Sequence, residues 1–125
     1  MKAFVAFLVS TLISVMAFAQ SSLPGQDMSW KIVANEKVCM VTERHFGFSQ
    51  IPVKVEGKTY YGCCDNCKQT LASGAKARTA MDPLTKNPVD KATAVIAANN
   101  TGNVLYFESK KNFDKYLKNL KALKR

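Results

Sequence analysis

The sequence predicts a small α+β fold built from two hairpin–helix (ββα) units. Three observations carry that prediction. A segment of the first half alternates apolar and polar residues across a turn and then changes to helical spacing. The second half repeats this order with a longer helix. Three of the four cysteines crowd into five residues at the junction of the first hairpin and its helix, "GKTYYGCCDNC", with Cys39 upstream in "EKVCMVTE".

The chain opens "MKAFVAFLVSTLISVMAFAQSS". Lys2 gives a short positive region, Ala3 to Val15 are largely apolar, and Ala17-Phe18-Ala19 fits the small-x-small cleavage pattern. The expectation is a signal peptide over 1–19, cut before Gln20. A retained anchor is the competing reading. Against it, the apolar stretch is short for a span of about 20 residues, and no basic cluster follows it closely. The mature chain is therefore expected to be exported, periplasmic or extracellular, with no stable membrane insertion. Residues 20–30 read as a flexible lead-in broken at Pro24-Gly25.

Residues 31–80 form the expected first unit. In "IPVKVEGKTYYG", Val53 and Val55 alternate with charged residues, Glu56-Gly57 supplies the turn, and Thr59-Tyr60-Tyr61 favours strand. "DNCKQTLA" then suits a short helix from Asp65, its expected N-cap, to the neighbourhood of Gly74. Residues 81–125 form the second unit. "KATAVIAANNTGNVLYFES" gives strand, turn and strand, with Asn99 to Asn103 turning. "KKNFDKYLKNLKALKR" gives a helix with Phe113, Tyr116, Leu117, Leu120 and Leu123 on one face and lysines on the other.

Aligning the halves exposes an internal repeat. "CMVT" faces "DPLT", and "GKTYYGCCDNC" faces "GNVLYFESKKN", with loop lengths that differ by two residues. Cys39 then matches Asp82, Cys63 matches Glu108, Cys64 matches Ser109 and Cys67 matches Asn112. The first unit keeps the cysteines, and its sister carries oxygen-bearing or amide side chains in their places.

The pattern C-x23-C-x3-C puts Cys63 and Cys67 on one face of a helix entry, with Cys39 closing from the preceding strand or loop. Free N–H groups and the helix dipole favour thiolate there, and thiolate is the form that binds metal. Cys64 is ambiguous. With Cys67 it makes a C-x2-C pair, the spacing of metal knuckles and of thiol–disulfide motifs, while its match to Ser109 suggests a helix cap.

Here the chain resembles the TRASH domain, a small cysteine motif proposed to bind or sense heavy metals, and its relative the YHS domain. The resemblance rests on Cys39 with "MVT", on "GKTYYGCC", and on Cys67 with "KQTL" leading into a helix, and it spans about Val38 to Ala72. The second half resembles a YHS unit without cysteines. The resemblance implies Cys39, Cys63 and Cys67 as metal ligands in a treble-clef or zinc-ribbon-like knuckle. The sequence departs from the family in a longer first interval and in the additional thiol of Cys64.

Soft thiolates favour Cu(I), with Zn(II) the alternative, and exclude Mg and Ca. Zinc wants a fourth ligand, from Cys64 or from His45, the only histidine. Met40 and Met81 offer thioether sulfur but are expected to be buried packing residues. Asp82 and Glu108 are expected at the surface or as capping groups rather than as a second, harder site. The formal net charge is +9, with lysines spread along the chain, which reads as solubility rather than nucleic-acid binding. The expected function is therefore non-enzymatic: capture of a soft metal, most favourably copper, for buffering, sensing or handover to an efflux or acceptor protein. Two alternatives stay open, a thiol–disulfide protein using Cys64 and Cys67, and a binding module stapled by structural zinc or disulfides.

Overall fold

A computed structural model describes residues 29–124, so the expected signal segment at 1–19 and most of the lead-in lie outside the described residues. The fold is α+β, with small antiparallel sheets and two helices. β1 (Lys31–Val33) is followed by a 3-10 turn at Asn35–Lys37. β2 (Val38–Cys39) and β3 (Arg44–His45) form a minimal hairpin. β4 (Ile51–Val55) pairs with β5 (Lys58–Gly62) along its whole length. α1 (Asp65–Ser73) follows at once. A 3-10 turn at Ala75–Arg78 leads into β6 (Thr79–Met81), which pairs with β7 (Pro88–Asp90). β8 (Val95–Ala98) and β9 (Val104–Phe107) make the last hairpin, and α2 (Lys110–Leu123) closes the chain. No helix among the described residues is long and apolar enough to cross a membrane.

The predicted hairpins form where the turn chemistry puts them. Glu56 and Gly57 both take positive φ, 51° and 78°, which joins Val55 to Lys58 in a two-residue turn matched to the strand twist. The Asn99–Asn103 turn is held by the Asn99 side chain, whose Oδ1 accepts from the backbone N–H of Thr101 and Asn103. In α2, Phe113 is buried and Tyr116, Leu117 and Leu120 are half-buried. Leu123 is 83% exposed, so the apolar stripe outruns the sheet it packs on and its last member projects past the contact.

The two halves interlock. β1 lies before the first hairpin in sequence yet pairs with β8 of the second, Lys31 opposite Ala98 and Val33 opposite Ile96. The expected boundary between residues 80 and 81 falls inside β6. One apolar core crosses the chain, joining Val38, Met40, Val53, Tyr60 and Leu71 to Val89, Ile96 and Tyr106. Complete burial of Leu71, the anchor of α1, contributes about 2 kcal/mol to that core. Ala97, Phe107 and Phe113 form a second cluster, with Trp30 and Tyr116 packed against it.

Polar contacts repeat the interlock. The Lys58 ammonium and the Tyr60 hydroxyl both donate to the Asp90 carboxylate. Arg44 donates to the Thr101 carbonyl at 2.8 Å, and the His45 N–H donates to the Gly102 carbonyl at 2.9 Å. The first knuckle is thus braced from outside by the half that has no cysteines.

Candidate metal centre

Three short elements bring the sulfurs together. Cys39 ends β2, Cys63 follows β5, and Cys67 stands in the first turn of α1. The β2–β3 turn is fastened to β5 by the Met40 N–H, which donates to the Tyr61 carbonyl at 2.9 Å. Gly62 lets the helix begin this close to the strand, since a Cβ there would stand 3.0 Å from the Cys67 Cβ and 3.3 Å from the Lys68 nitrogen. Among the described residues, Cys39, Cys63 and Cys67 place their sulfurs within 4.8 Å of one another, Cys39 and Cys67 buried and Cys63 at the surface.

That spacing suits a metal ion. Sulfurs about 2.3 Å from one ion stand about 3.8 Å apart at a tetrahedral angle and about 4.0 Å apart in a trigonal plane. The Cys63 and Cys67 sulfurs are 3.7 Å apart. All four cysteines are unpaired thiols. With one sulfur exposed and two buried, the trio is open on one side and sealed by the core on the other.

Hydrogen bonds distribute the charge unequally. Burial pushes the Cys39 thiol up, but donation from the Thr42 hydroxyl and from the backbone N–H groups of Thr42, Val41 and Cys63 brings it down to about 7. Burial, followed by contact with Cys64, Cys63 and Cys39, pushes Cys67 up to about 12. Cys63 is raised first by its contact with Cys39 and then by burial. Cys39 is thus the sulfur readiest to ionise, and a bound cation would have to draw the proton from Cys67.

Cys64 lies outside this set. It is the N-cap of α1, its sulfur accepting the Cys67 N–H at 3.5 Å. Asp65, the expected cap, is instead the first helical residue, where its charge suits the helix dipole. The backbone N–H and then the side chain of Cys67 lower the Cys64 thiol. Sulfur is an uncommon cap, and the signal for it was the match to Ser109, which caps α2 through an Asn112 N–H 3.2 Å from its Oγ.

The other candidates fall elsewhere. His45 pairs with Val38 across β2–β3 and lines a surface hollow with Lys31, Val33, Ala98 and Asn99, so it is not gathered with the sulfurs. Met40 is fully buried in the core, as expected of a packing residue. Met81 is 61% exposed, against the expectation of burial, because strand alternation in β6 turns it outward.

Asp82 is not at the surface but fully buried, and it acts as a capping group for backbone N–H donors. Its Oδ1 accepts from the backbone N–H of Leu84 at 2.7 Å and of Thr85 at 3.3 Å. Its Oδ2 accepts from the Glu108 N–H and from the Asn112 Nδ2, both at 2.9 Å. Burial pushes the Asp82 carboxyl up, but these donors more than offset it and hold the group below its ordinary value. Glu108 is exposed and accepts from Thr85 Oγ1 at 3.0 Å and from Asn112 Nδ2 at 3.1 Å.

Sequence reasoning missed Lys91. This lysine is buried, donates to the Met40 carbonyl at 2.7 Å and to Glu43 Oε1 at 3.1 Å, and lies 5.2 Å from the centre of the Tyr106 ring. It comes from the second half and pins the turn that follows Cys39. Nothing in its neighbourhood, "PVDKATA", distinguishes it from the solvated lysines.

Set against protein-family models, curated proteins and solved structures, the chain matches none of them.

Proposed function

We propose that this chain is an exported, non-enzymatic metal-binding protein that holds a soft transition metal through the thiolates of Cys39, Cys63 and Cys67. The observation that carries the reading is the convergence of three cysteine sulfurs within 4.8 Å, two buried and one at the surface. Three sulfurs are a full set for Cu(I) and one short of the usual four for zinc, which favours copper. The exposed edge at Cys63 suits ligand exchange, and so buffering or handover to an efflux or acceptor protein. The resemblance of Val38 to Ala72 to TRASH and YHS domains supports the same reading, and the apolar segment at 1–19 supports export.

When bound, a copper ion would supply only charge and coordination. The chain's own residues do the rest. Thr42 and the N–H groups of Val41, Thr42 and Cys63 stabilise the Cys39 thiolate, and Gly62 admits the helix. The test is a competition titration with Cu(I) against a chromophoric chelator. The native chain should take copper from the chelator, and a Cys63→Ser, Cys67→Ser double variant should not. Full affinity in the double variant would remove the site assignment.

A further inference from the structure

We propose that Cys64 and Cys67 form a disulfide-exchange pair within the knuckle, and that their oxidation by a small disulfide loosens the bound metal. The inference rests on the metal-binding reading above and adds a redox partner to it. Its basis is the position of Cys64, which is exposed, stands outside the three-sulfur set, and has its sulfur 3.4 Å from that of Cys67. The capping contact from the Cys67 N–H, at 3.5 Å, shows the Cys64 side chain turned inward over the first helical turn. Closing the pair to a bond of about 2.05 Å needs a movement of little more than an ångström.

Cys67 is the shared residue. Its sulfur touches those of both Cys63, at 3.7 Å, and Cys64, at 3.4 Å. A sulfur bonded to Cys64 has no thiolate to give a metal, so the two partnerships exclude each other. Cys63, the other exposed thiol, is occupied by the metal in the loaded state, which leaves Cys64 to meet an oxidant.

The exchange balances with one disulfide, RSSR, such as oxidised glutathione. The Cys64 sulfur attacks RSSR, giving a mixed disulfide and one RS group that leaves with the Cys64 proton as RSH. The Cys67 thiolate, leaving the metal, attacks the Cys64 sulfur and expels the second RS⁻. Two cysteine sulfurs are oxidised and RSSR is reduced to one RSH and one RS⁻, which takes its proton from water. The metal keeps Cys39 and Cys63 and is held more weakly.

The test uses the purified full chain and its Cys64→Ser variant, in which serine keeps the cap as Ser109 does in α2. Cu(I) stoichiometry is measured first, and both proteins should take up copper equally. Oxidised glutathione is then added with a Cu(I) chelator in large excess. Copper should pass to the chelator from the native protein, with a Cys64–Cys67 disulfide found by peptide mass mapping. From Cys64→Ser it should pass roughly tenfold more slowly or worse. Equal rates in the two proteins, no release, or a disulfide between other cysteines would overturn this proposal and leave the metal-binding reading intact. Loss of copper uptake in Cys64→Ser before oxidation would make Cys64 a ligand and also overturn it. Failure of the native protein to take up copper would sink both readings.

Discussion

The cysteine knuckle around Cys39 and the acidic knuckle around Asp82 share one backbone plan and differ in what fills it. The Cys39 thiol is drawn down by the N–H groups of the second and third residues after it and by that of Cys63. Asp82 accepts from the N–H groups of Leu84 and Thr85, at the same offsets, and from that of Glu108. The fourth residue after each is left-handed, Glu43 at φ 55° and Lys86 at φ 63°. Val38 pairs with His45 as Met81 pairs with Pro88. Cys64 and Ser109 cap their helices with φ of −156° in both.

The difference lies in the third member of each trio. In the acidic knuckle, Asn112 Nδ2 donates to Asp82 at 2.9 Å and to Glu108 at 3.1 Å, so two carboxylates are joined by an amide that owns the protons. In the cysteine knuckle the corresponding atom is a sulfur. Three thiols are weak donors to one another, and three thiolates repel. A bound cation would do for the sulfurs what Asn112 does for the carboxylates. One knuckle geometry thus carries a hydrogen-bonded trio in one half and a trio able to hold a metal in the other.

The strongest way to break that comparison is to exchange the trios. A Cys39→Asp, Cys63→Glu, Cys67→Asn variant should fold without metal and lose Cu(I) affinity by far more than the roughly 100-fold typical of a lost supporting contact. Circular dichroism and a chelator competition check both halves of the expectation. A variant that folds and still binds copper would show that the sulfurs are not the site.

Next in size is the acidic knuckle itself. Asp82→Ala strands four donors and should cost about 3 kcal/mol in urea unfolding. The pH dependence has a definite sign. The Asp82 carboxyl is held below its ordinary value, and a depressed carboxyl contributes stability above its unfolded value that is lost as pH falls through the folded one. Asp90, whose carboxyl burial raises but Lys58, Ala92 and Tyr60 pull down more strongly, acts in the same direction. Unfolding measured below about pH 4 should therefore show falling stability, with a shallower fall in Asp82→Asn. An unchanged slope in that variant would mean that Asp82 is not held as described.

Lys91→Ala tests whether the second half braces the first. It removes the donor to the Met40 carbonyl and opens space beneath Tyr106, and it should cost about 2 kcal/mol. Because Met40 adjoins Cys39, copper affinity should fall along with stability. An effect on neither would make the contact incidental.

The smallest effect distinguishes the two caps. Ser109→Ala should cost about 1 kcal/mol, whereas Cys64→Ser should cost nothing or stabilise slightly, because oxygen accepts an N–H better than sulfur. A large loss on Cys64→Ser would show that the sulfur does more than cap.

Much of this was legible from local pattern. The alternation around Val53, the Glu56-Gly57 turn and the helical stripe from Phe113 each name an element from its own residues, and the match of Cys39 to Asp82 pointed to two related knuckles. What stayed hidden depends on partners distant in sequence. The pairing of Lys31 with Ala98 leaves no trace in either segment, and the β1 residues would suit a loop as well. Burial of Lys91 and Asp82 runs against the ordinary preference of charged side chains, and it is affordable only because donors or acceptors arrive from elsewhere in the chain. The exposure of Leu123 is hidden for the opposite reason, since helical spacing says which face is apolar but not how far the opposing sheet reaches. Within the site, spacing gathered Cys63 and Cys67, yet only the fold shows Cys64 as the cap of α1, its sulfur 3.4 Å from that of Cys67 but outside the trio with Cys39.

The central claim, that the three sulfurs hold a soft metal, is tested most directly by measuring metal content and free thiols together on protein purified anaerobically from its native compartment. About one copper per chain is expected, with the thiols of Cys39, Cys63 and Cys67 silent to reagent until the metal is stripped. Protein without metal, carrying two disulfides by mass, would contradict it and make the cysteines staples.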